Sequence, residues 1–300
     1  MEKEKCIVTF NIGEFYWECG NFVPYIIWKR LFQYKDRKNI KFICMTRHER
    51  FDLYGQYADI LIPFKIEGDE TKFIQTGFKL HGLLPIQENI IIETLIKEVT
   101  KKYDILEFIY PNTSKKHHCN RFQFPREKFC YDYKPRIENK KAVEQLLSND
   151  KKTIILAPRY RQKVKRNWNH WQELYDMIYY SEFFKKYNFV ICGNKGQYIP
   201  DNYDRFLDMN KIPFNNNISN AGLLIEIIKK SFLTIGSQSA IPNISLLLGV
   251  EVLQWGNQPI QHTIDYNYTN TKVTFLEDYN FSIHPLKIIQ EMQKIIQRER

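Results

Sequence analysis

Two successive series of alternating apolar strands and amphipathic helices constrain the fold of this chain more than any other feature. In the first series, short apolar runs predict buried strands over Cys6–Asn11, Ile40–Met45, Ala58–Pro63 and Ile105–Tyr110. Large apolar residues at helical spacing predict helices between these strands, over Phe22–Phe32 and Glu88–Lys102. Strands that alternate with helices are typical of a parallel sheet covered by its crossover helices.

A second series of the same kind begins after a helix predicted over Glu138–Leu147. Its strands are predicted over Thr153–Ala157, Asn188–Gly193, Phe232–Gly236 and Val250–Trp255. Its helices are predicted over about 169–180 and 219–230, with a short helix that ends at Gly249. The closing segment, Pro285–Arg298, starts with a proline and carries its isoleucines on one face, which indicates an amphipathic helix.

The two series predict an α/β protein made of two doubly wound, Rossmann-like domains that face a cleft. We place an N-terminal domain at 1–136, a linker helix at 137–150, a C-terminal domain at 151–283 and a final helix at 284–300. The stretch 111–136 is polar, aromatic and basic, with prolines at 111, 125 and 135, and is interpreted as a long loop.

Positive charge is concentrated in one part of the sequence. The whole chain has 44 Lys and Arg against 34 Asp and Glu, a formal net charge of +10. Residues 151–200 hold 10 basic and 3 acidic residues, and the densest part is the segment 159–166, called the basic loop below. A focused cluster suits a compact anion such as a diphosphate, whereas duplex binding usually needs a longer stripe. The alternative is an ordinary solvated loop.

Several broad classes of protein are disfavoured by composition. No apolar stretch reaches the ~20 residues of a membrane span, and the charged start of the chain does not resemble a signal peptide. The 6 cysteines include no C-x-x-C pair and are interpreted as reduced thiols, which favours a cytoplasmic location. His117-His118-Cys119 has no further ligand at regular spacing, so no metal site is predicted.

Ligands of doubly wound sheets bind beyond the carboxyl ends of the strands, so residues just after predicted strands are the candidates for chemistry. After the first strand, Gly13 permits a tight turn and Glu14 could accept a proton from an attacking hydroxyl. Glu18, four residues later, is a rival base, and Trp17 could stack on a sugar ring of the acceptor. The alternative role of Glu14 is to complement the positive end of the following helix.

Two further candidates lie in the second series. The basic loop follows a strand and contains Arg159 and Arg166, whose guanidinium groups suit paired phosphate oxygens. Ser237 and Ser239 lie between another strand and a helix, where free backbone N–H groups and hydroxyls favour an anion. The alternative for Ser239 is a simple helix N-cap.

Taken together, these segments carry a resemblance to a known family. Thr153–Trp255 resembles the donor-binding half of GT-B glycosyltransferases, most closely the heptosyltransferase-like group of lipopolysaccharide core synthesis. In that group a strand, a proline, a basic loop, Lys/Arg-x-Trp and a helix precede a strand ending in glycine and the motif Asp-Ser-Gly-x-x-His. Arg166-Asn167-Trp168 fits the first signature, and Asn188–Gly193 fits the strand that ends in glycine.

The resemblance assigns roles to individual positions and also has departures. Gly193, Asn194, Gln238 and Asn243 are expected at the donor nucleotide, and the Gly13-Glu14 turn resembles the family's turn that carries the catalytic base. Gln238 stands where the family has an acid and Asn243 where it has a histidine, and Ala240 replaces a glycine. The family's C-terminal helix, which crosses back to the first domain, has its counterpart in Pro285–Arg298.

The resemblance implies a metal-independent, inverting glycosyltransferase that takes its sugar from a nucleotide-sugar, which is a co-substrate, so no cofactor is expected. The family's acceptor is a surface glycan or a lipid-linked saccharide. A hydroxylated base in DNA is the alternative acceptor, because Lys115 and Arg121 lie among the phenylalanines of the long loop. A nucleotide-sugar epimerase would also fit this architecture, and so would a non-catalytic protein that binds nucleotides or nucleic acid.

Overall fold

The computed structural model describes residues 3–11, 15–64, 85–110, 124–125, 133–147, 150–159, 167–193, 204–212, 220–257 and 267–298. The chain divides into two compact units, one formed by Met1–Arg136 with Asn216–Gly222 and the other by Ile137–Asn215 with Leu223–Arg300. Each unit is built around one parallel sheet. These sheets and their helices confirm the prediction of two Rossmann-like α/β folds.

The sheet of the first unit has the strand order β3-β2-β1-β4. Its strands are β1 (Glu4–Phe10), β2 (Ile40–Thr46), β3 (Ile60–Pro63) and β4 (Tyr103–Ile109). One core cluster of this unit contains Val8 and Ile43 from the central strands, against which Ile92 and Leu95 of a long helix pack. Because parallel strands are covered on both faces, β1 and β2 are apolar almost throughout, as the sequence predicted.

The helical segments of the first unit are α1 (Phe15–Trp17), α2 (Val23–Trp28) and α3 (Pro85–Thr100), and a 3₁₀ turn lies at His48–Leu53. Two π-helical segments, Glu18–Phe22 and Lys29–Gln33, follow α1 and α2, so the backbone is helical from residue 15 to residue 33. The backbone N–H of Val23 donates to the carbonyl of Glu18 five residues earlier. Pro24 has no N–H to donate to Gly20, which favours this wider turn.

The sheet of the second unit has the strand order β10-β9-β8-β5-β6-β7. Its strands are β5 (Thr153–Ala157), β6 (Asn188–Ile191), β7 (Phe206–Asp208), β8 (Ser231–Ser237), β9 (Glu251–Gly256) and β10 (Val273–Glu277). The central strands β5, β8 and β9 match the predicted ones to within one or two residues. The two outer strands, β7 and β10, were not predicted, because each is short and β10 is only half-buried.

The helices of the second unit are α4 (Ile137–Leu146), α5 (Trp171–Tyr179), α6 (Asn220–Lys230), α7 (Ala240–Leu247) and α8 (Pro285–Arg298). The predicted amphipathic helix at the C-terminus is therefore confirmed. Its apolar face, which includes Ile288, Met292 and Ile295, is buried in the same core cluster as Trp171 and Leu174 of α5. This helix was predicted to cross back to the first domain; its buried face belongs to the core of the second unit.

The cysteines that the structure describes are buried free thiols, namely Cys6, Cys19, Cys44 and Cys192. Burial raises the pKa of the Cys6 thiol to about 11 and that of Cys44 to about 12. A thiol with a raised pKa stays protonated at neutral pH and is a poor nucleophile. No helix among the described residues is both long and apolar enough to cross a bilayer.

Candidate functional site

The carboxyl ends of the neighbouring strands β5 and β8 bring several of the predicted donor-site residues to one edge of the second sheet, namely Arg159, Ser237 and Gln238. Strand β8 lies between β5 and β9, with Ala157 opposite Gly236 and Ser237 opposite Trp255. Arg159 therefore follows β5 beside the residues that follow β8. Its guanidinium Nη1 donates a hydrogen bond of 2.6 Å to the backbone carbonyl of Gln238. The side chain at the start of the basic loop is thus fastened to the adjacent strand end.

Two glycines at this edge allow neighbouring backbone and side-chain atoms to approach closely. A Cβ atom on Gly236 would lie 2.9 Å from the carbonyl oxygen of Ala157 and 3.1 Å from Cγ of Pro242 in α7. A Cβ atom on Gly256 would lie 2.6 Å from Cγ of Gln238. The side chain of Gln238 thus lies across Gly256. The backbone N–H of Gln238 donates to the carbonyl of Trp255 at 3.0 Å. Glycine is required at both positions for these close approaches.

The hydroxyls that were predicted to favour an anion lie at the end of β8 and at the start of α7. Ser239 is the N-cap in an extended conformation, and its side chain makes no capping hydrogen bond in the described structure. Ser237 is 0% exposed, and its Oγ has no hydrogen-bond partner among the described residues. Buried polar atoms are nearly always paired, and the first backbone N–H groups of a helix have no partner within the helix. This place is therefore well suited to an anionic ligand.

A cluster of three indole rings holds Trp168, two residues after the basic loop in the sequence. Trp168 is completely buried, and its ring centroid lies 5.1 Å from that of Trp171 and 4.8 Å from that of Trp255. Its Nε1 donates to the carbonyl of Ile283 at 2.8 Å. Arg159 and Trp168, which lie on either side of residues 160–166 in the sequence, are therefore both held in place. Arg166 itself lies outside the described residues.

The glycine after β6 is held by a residue that the sequence did not single out. Gly193 accepts a hydrogen bond of 2.9 Å at its carbonyl from Nδ2 of Asn210. The same Nδ2 lies 3.0 Å from Oδ1 of Asp208, at the end of β7. Because β7 was not predicted, Asn210 could not be placed at this edge from the sequence. Asn194 lies outside the described residues.

In the first unit, Glu18 occupies a fully buried position within the first π-helical segment. Its Oε2 accepts from Arg50, with which it forms an ion pair, and its Oε1 accepts from the hydroxyls of Tyr54 at 2.5 Å and Thr46 at 3.2 Å. Burial and the adjacent Glu18 carboxylate raise the pKa of the Tyr54 hydroxyl well above its usual value. Tyr54 is therefore a hydrogen-bond donor at neutral pH.

The partners of Glu18 were missed because they are distant in sequence. Thr46 ends β2, and Arg50 and Tyr54 lie within and just after the 3₁₀ turn that follows it. The rule that sites follow strand ends would have drawn attention to Thr46-Arg47-His48-Glu49-Arg50, which directly follows a buried strand. Nothing in the local sequence pairs this segment with Glu18.

Of the other residues predicted for the site in the first unit, the structure describes Trp17. Trp17 is buried, and its ring stacks on Phe22 with centroids 5.8 Å apart. The residues outside the described ranges are Gly13, Glu14, Lys115 and Arg121. Among the residues that the structure does describe, no group of three or more His, Cys, Asp or Glu side chains could hold a metal ion.

Comparison with known proteins gives similarity of structure without detectable similarity of sequence. No protein-family model matches the chain, and no curated protein matches it in sequence. In structure, it is similar to ADP-heptose lipopolysaccharide heptosyltransferase II of Escherichia coli, with a TM-score of 0.56 and 13% identity over 98% of this chain and 99% of the other.

Two further solved structures are similar over almost their whole length. A glycosyltransferase of family 9 from Veillonella parvula has a TM-score of 0.51 and 11% identity, covering 98% of this chain and 97% of its own. The E. coli heptosyltransferase WaaC with ADP has a TM-score of 0.52 and 11% identity, covering 96% of this chain and 99% of its own. The predicted resemblance is therefore confirmed at the level of the fold: the chain has the GT-B fold of the heptosyltransferases.

Proposed function

We propose that this chain is a glycosyltransferase that moves a sugar from a nucleotide-sugar to an acceptor hydroxyl. The observation that carries the proposal is the edge of the second sheet, where Arg159, the buried Ser237 hydroxyl and the start of α7 after Ser239 follow adjacent strands. A cation, a buried donor and free helix N–H groups at one edge suit the diphosphate of such a donor. The fold supports this role, because the solved structure of WaaC holds ADP.

In the proposed reaction, the acceptor oxygen attacks the anomeric carbon as the bond from that carbon to the diphosphate oxygen breaks. The acceptor proton passes to a carboxylate of the protein, and the nucleoside diphosphate leaves with its negative charge. Because this is a single direct displacement, the anomeric configuration inverts. Arg159, Arg166 and the start of α7 would stabilise the leaving group, a role that a metal ion has in other enzymes. This is why we propose a metal-independent reaction.

We assign the base to Glu14 and not to Glu18. Both carboxylate oxygens of Glu18 already accept hydrogen bonds, and the side chain is 0% exposed. A carboxylate with no exposed surface cannot come within hydrogen-bond distance of an acceptor hydroxyl, as a general base must. In the sequence Glu14 directly follows Gly13, a few residues after the end of β1, and in the proposed site it would accept the proton from the acceptor hydroxyl.

The variant Glu14→Gln separates the proposal from its rivals. An enzyme that uses Glu14 as base keeps its donor affinity and loses turnover by about 10²–10⁴-fold. A non-catalytic binder would show no product with wild-type protein and no change on substitution. An epimerase would convert the nucleotide-sugar to its epimer without any acceptor, which analysis of the donor alone would detect.

The acceptor that we propose is a saccharide, either a surface glycan or a lipid-linked one. The second candidate, a hydroxylated base in DNA, is suggested by Lys115 and Arg121 within the basic, aromatic loop of the sequence. The salt dependence of acceptor affinity distinguishes the two, because binding to a nucleic acid falls steeply with salt as counterions are released. Affinity that does not change between about 50 and 200 mM salt supports the saccharide.

The experiment that tests the proposal is a thermal-shift screen against UDP-, GDP-, ADP-, CMP- and dTDP-sugars without added metal. A ligand that binds the native state raises the melting temperature in proportion to the logarithm of its concentration over its Kd. Selective stabilisation by one nucleotide identifies the donor for assays of sugar transfer. If no nucleotide-sugar stabilises the protein while oligonucleotides do, the proposed donor site is wrong.

A further inference from the structure

A polar contact joins strand β9 to helix α7 directly behind the strand ends of the proposed donor site. Gln254 is 0% exposed, although its neighbours Leu253 and Trp255 on the same strand are apolar core residues. Its Nε2 donates a hydrogen bond of 3.3 Å to Oδ1 of Asn243 in α7. A buried amide must be paired to avoid a large desolvation cost. In this arrangement Gln254 engages the oxygen of the Asn243 amide and leaves its nitrogen on the other side.

With its oxygen facing Gln254, the Asn243 side chain has its N–H groups left to offer to a ligand. Asn243 is 5% exposed, and its Nδ2 makes no hydrogen bond to any of the described residues. The first turn of α7 is also fixed in place, because Pro242 packs closely on Gly236. The amide of Asn243 is thus held in one orientation on a helix turn that cannot easily shift.

We propose that Gln254 is a positioning residue that fixes the amide of Asn243 so that Nδ2 donates to a diphosphate oxygen of the donor. The ligand group that contacts Nδ2 must be a hydrogen-bond acceptor, since an amide N–H₂ group only donates. The positive end of α7 and the guanidinium of Arg159 favour an acceptor that carries negative charge. This inference rests on the proposed function, and it adds the residue that orients the amide of Asn243.

The test compares Gln254→Met, which keeps the length of the side chain and removes its hydrogen bonds, with a matched control, Thr234→Val. Thr234 on β8 makes a buried hydrogen bond of 2.8 Å to Ser245 of the same helix, so its loss weakens another contact between the sheet and α7. Wild-type protein is first tested against ADP, UDP, GDP, CDP and dTDP to find the diphosphate that it binds most tightly. The Kd of that diphosphate and the Kd of its nucleoside are then measured for wild type and for both variants.

We expect Gln254→Met to weaken diphosphate binding about tenfold, the loss of one oriented hydrogen bond to a charged group, and to leave nucleoside binding unchanged. Thr234→Val should lower the melting temperature and keep the ratio of the two Kd values. If Gln254→Met keeps that ratio as well, Gln254 only supports the fold, and the inference is wrong.

A second variant, Asn243→Asp, checks the orientation of the amide. An aspartate at 243 places an oxygen where Nδ2 was, so diphosphate binding should be lost by more than the effect of Gln254→Met. Binding equal to wild type would mean that the side chain at 243 does not contact the diphosphate, which contradicts the inference. If wild-type protein binds none of the diphosphates, the proposed function is wrong and this inference is overturned with it.

Discussion

Nη1 of Arg159 donates to the backbone carbonyl of Gln238 at 2.6 Å, and this hydrogen bond joins the residues that follow β5 to those that follow β8. The interaction uses one side of a guanidinium group that can form several hydrogen bonds. In the proposed site Arg159 therefore has two roles, to hold the strand ends together and to present positive charge to the diphosphate.

Replacement of Arg159 separates these roles. We expect Arg159→Ala to lower kcat/KM by about 10²–10³-fold, as the loss of one preorganised donor does in other enzymes. Arg159→Lys keeps the charge but has no planar fork, so it should restore part of the activity. Steady-state kinetics with the donor found by thermal shift checks both variants. Full turnover by Arg159→Ala would remove Arg159 from the site.

The ion pair between Glu18 and Arg50 predicts a large effect on stability. Glu18→Gln leaves the Arg50 guanidinium buried without its counter-charge, and breaking a buried pair in this way typically costs about 3–5 kcal/mol. Urea unfolding measures the loss. The control is Glu98→Gln, because Glu98 pairs with Lys101 on the surface, where ion pairs contribute little to stability. The double variant Glu18→Gln with Arg50→Met should lose less stability than Glu18→Gln alone.

The secondary structure was largely predictable because buried parallel strands and amphipathic helices have distinct periods. Thr153–Ala157 and Pro285–Arg298 were predicted with the bounds that the structure gives. The rule that ligands bind at the carboxyl ends of strands also selected Arg159 and Ser237 from the sequence alone, and the structure places both at the edge of one sheet.

What the sequence could not reveal are contacts between distant residues and small departures from regular geometry. The partners of Glu18 come from the end of β2 and from within and just after the 3₁₀ turn that follows it, 28 to 36 residues later in the chain, a pairing that no local pattern indicates. Trp17, considered as a stacking platform for a sugar, lies buried against Phe22. The hydrogen bond between Gln254 and Asn243 was likewise hidden, since each residue alone looks like a polar interruption of an apolar segment.

The close approach of Gln238 to Gly256 predicts a coupling between these positions. Gly256→Ala introduces a Cβ atom 2.6 Å from Cγ of Gln238, and such overpacking typically costs about 1–3 kcal/mol. Removing the obstructing side chain in the double variant Gly256→Ala with Gln238→Ala should recover most of this loss. Thermal unfolding of the single and double variants measures the coupling. Additive losses would show that the two side chains do not compete for the same space.

The control for this experiment is Gly55→Ala. A Cβ atom there would lie 3.6 Å from its nearest neighbour, the carbonyl oxygen of Phe51, which is an ordinary contact. We expect stability to stay within about 0.5 kcal/mol of wild type or to rise slightly, because alanine lowers the entropy of the unfolded chain. A large loss at Gly55 would mean that alanine is poorly tolerated at glycines of this protein in general.

The hydrogen bonds to Asp59 predict how stability depends on pH in the acid range. Partial burial alone would raise the pKa of this carboxyl, but hydrogen bonds from the Arg30 guanidinium, at 2.6 and 3.0 Å, and from the Phe42 N–H hold it below its usual value of 3.8. The folded state therefore binds the proton less readily than the unfolded state. The stability that Asp59 contributes is complete above pH 3.8 and is lost as the pH falls through the lower pKa of the folded state.

Asp59→Asn removes this contribution at neutral pH. Because the pair is partly exposed, we expect the variant to lose only about 1 kcal/mol at pH 7. The difference from wild type should shrink between pH 4 and pH 2, as the wild-type carboxyl becomes protonated. Urea unfolding at a series of pH values measures both quantities. A difference that stays constant down to pH 2 would show that Asp59 stabilises the fold through its shape and not through its charge.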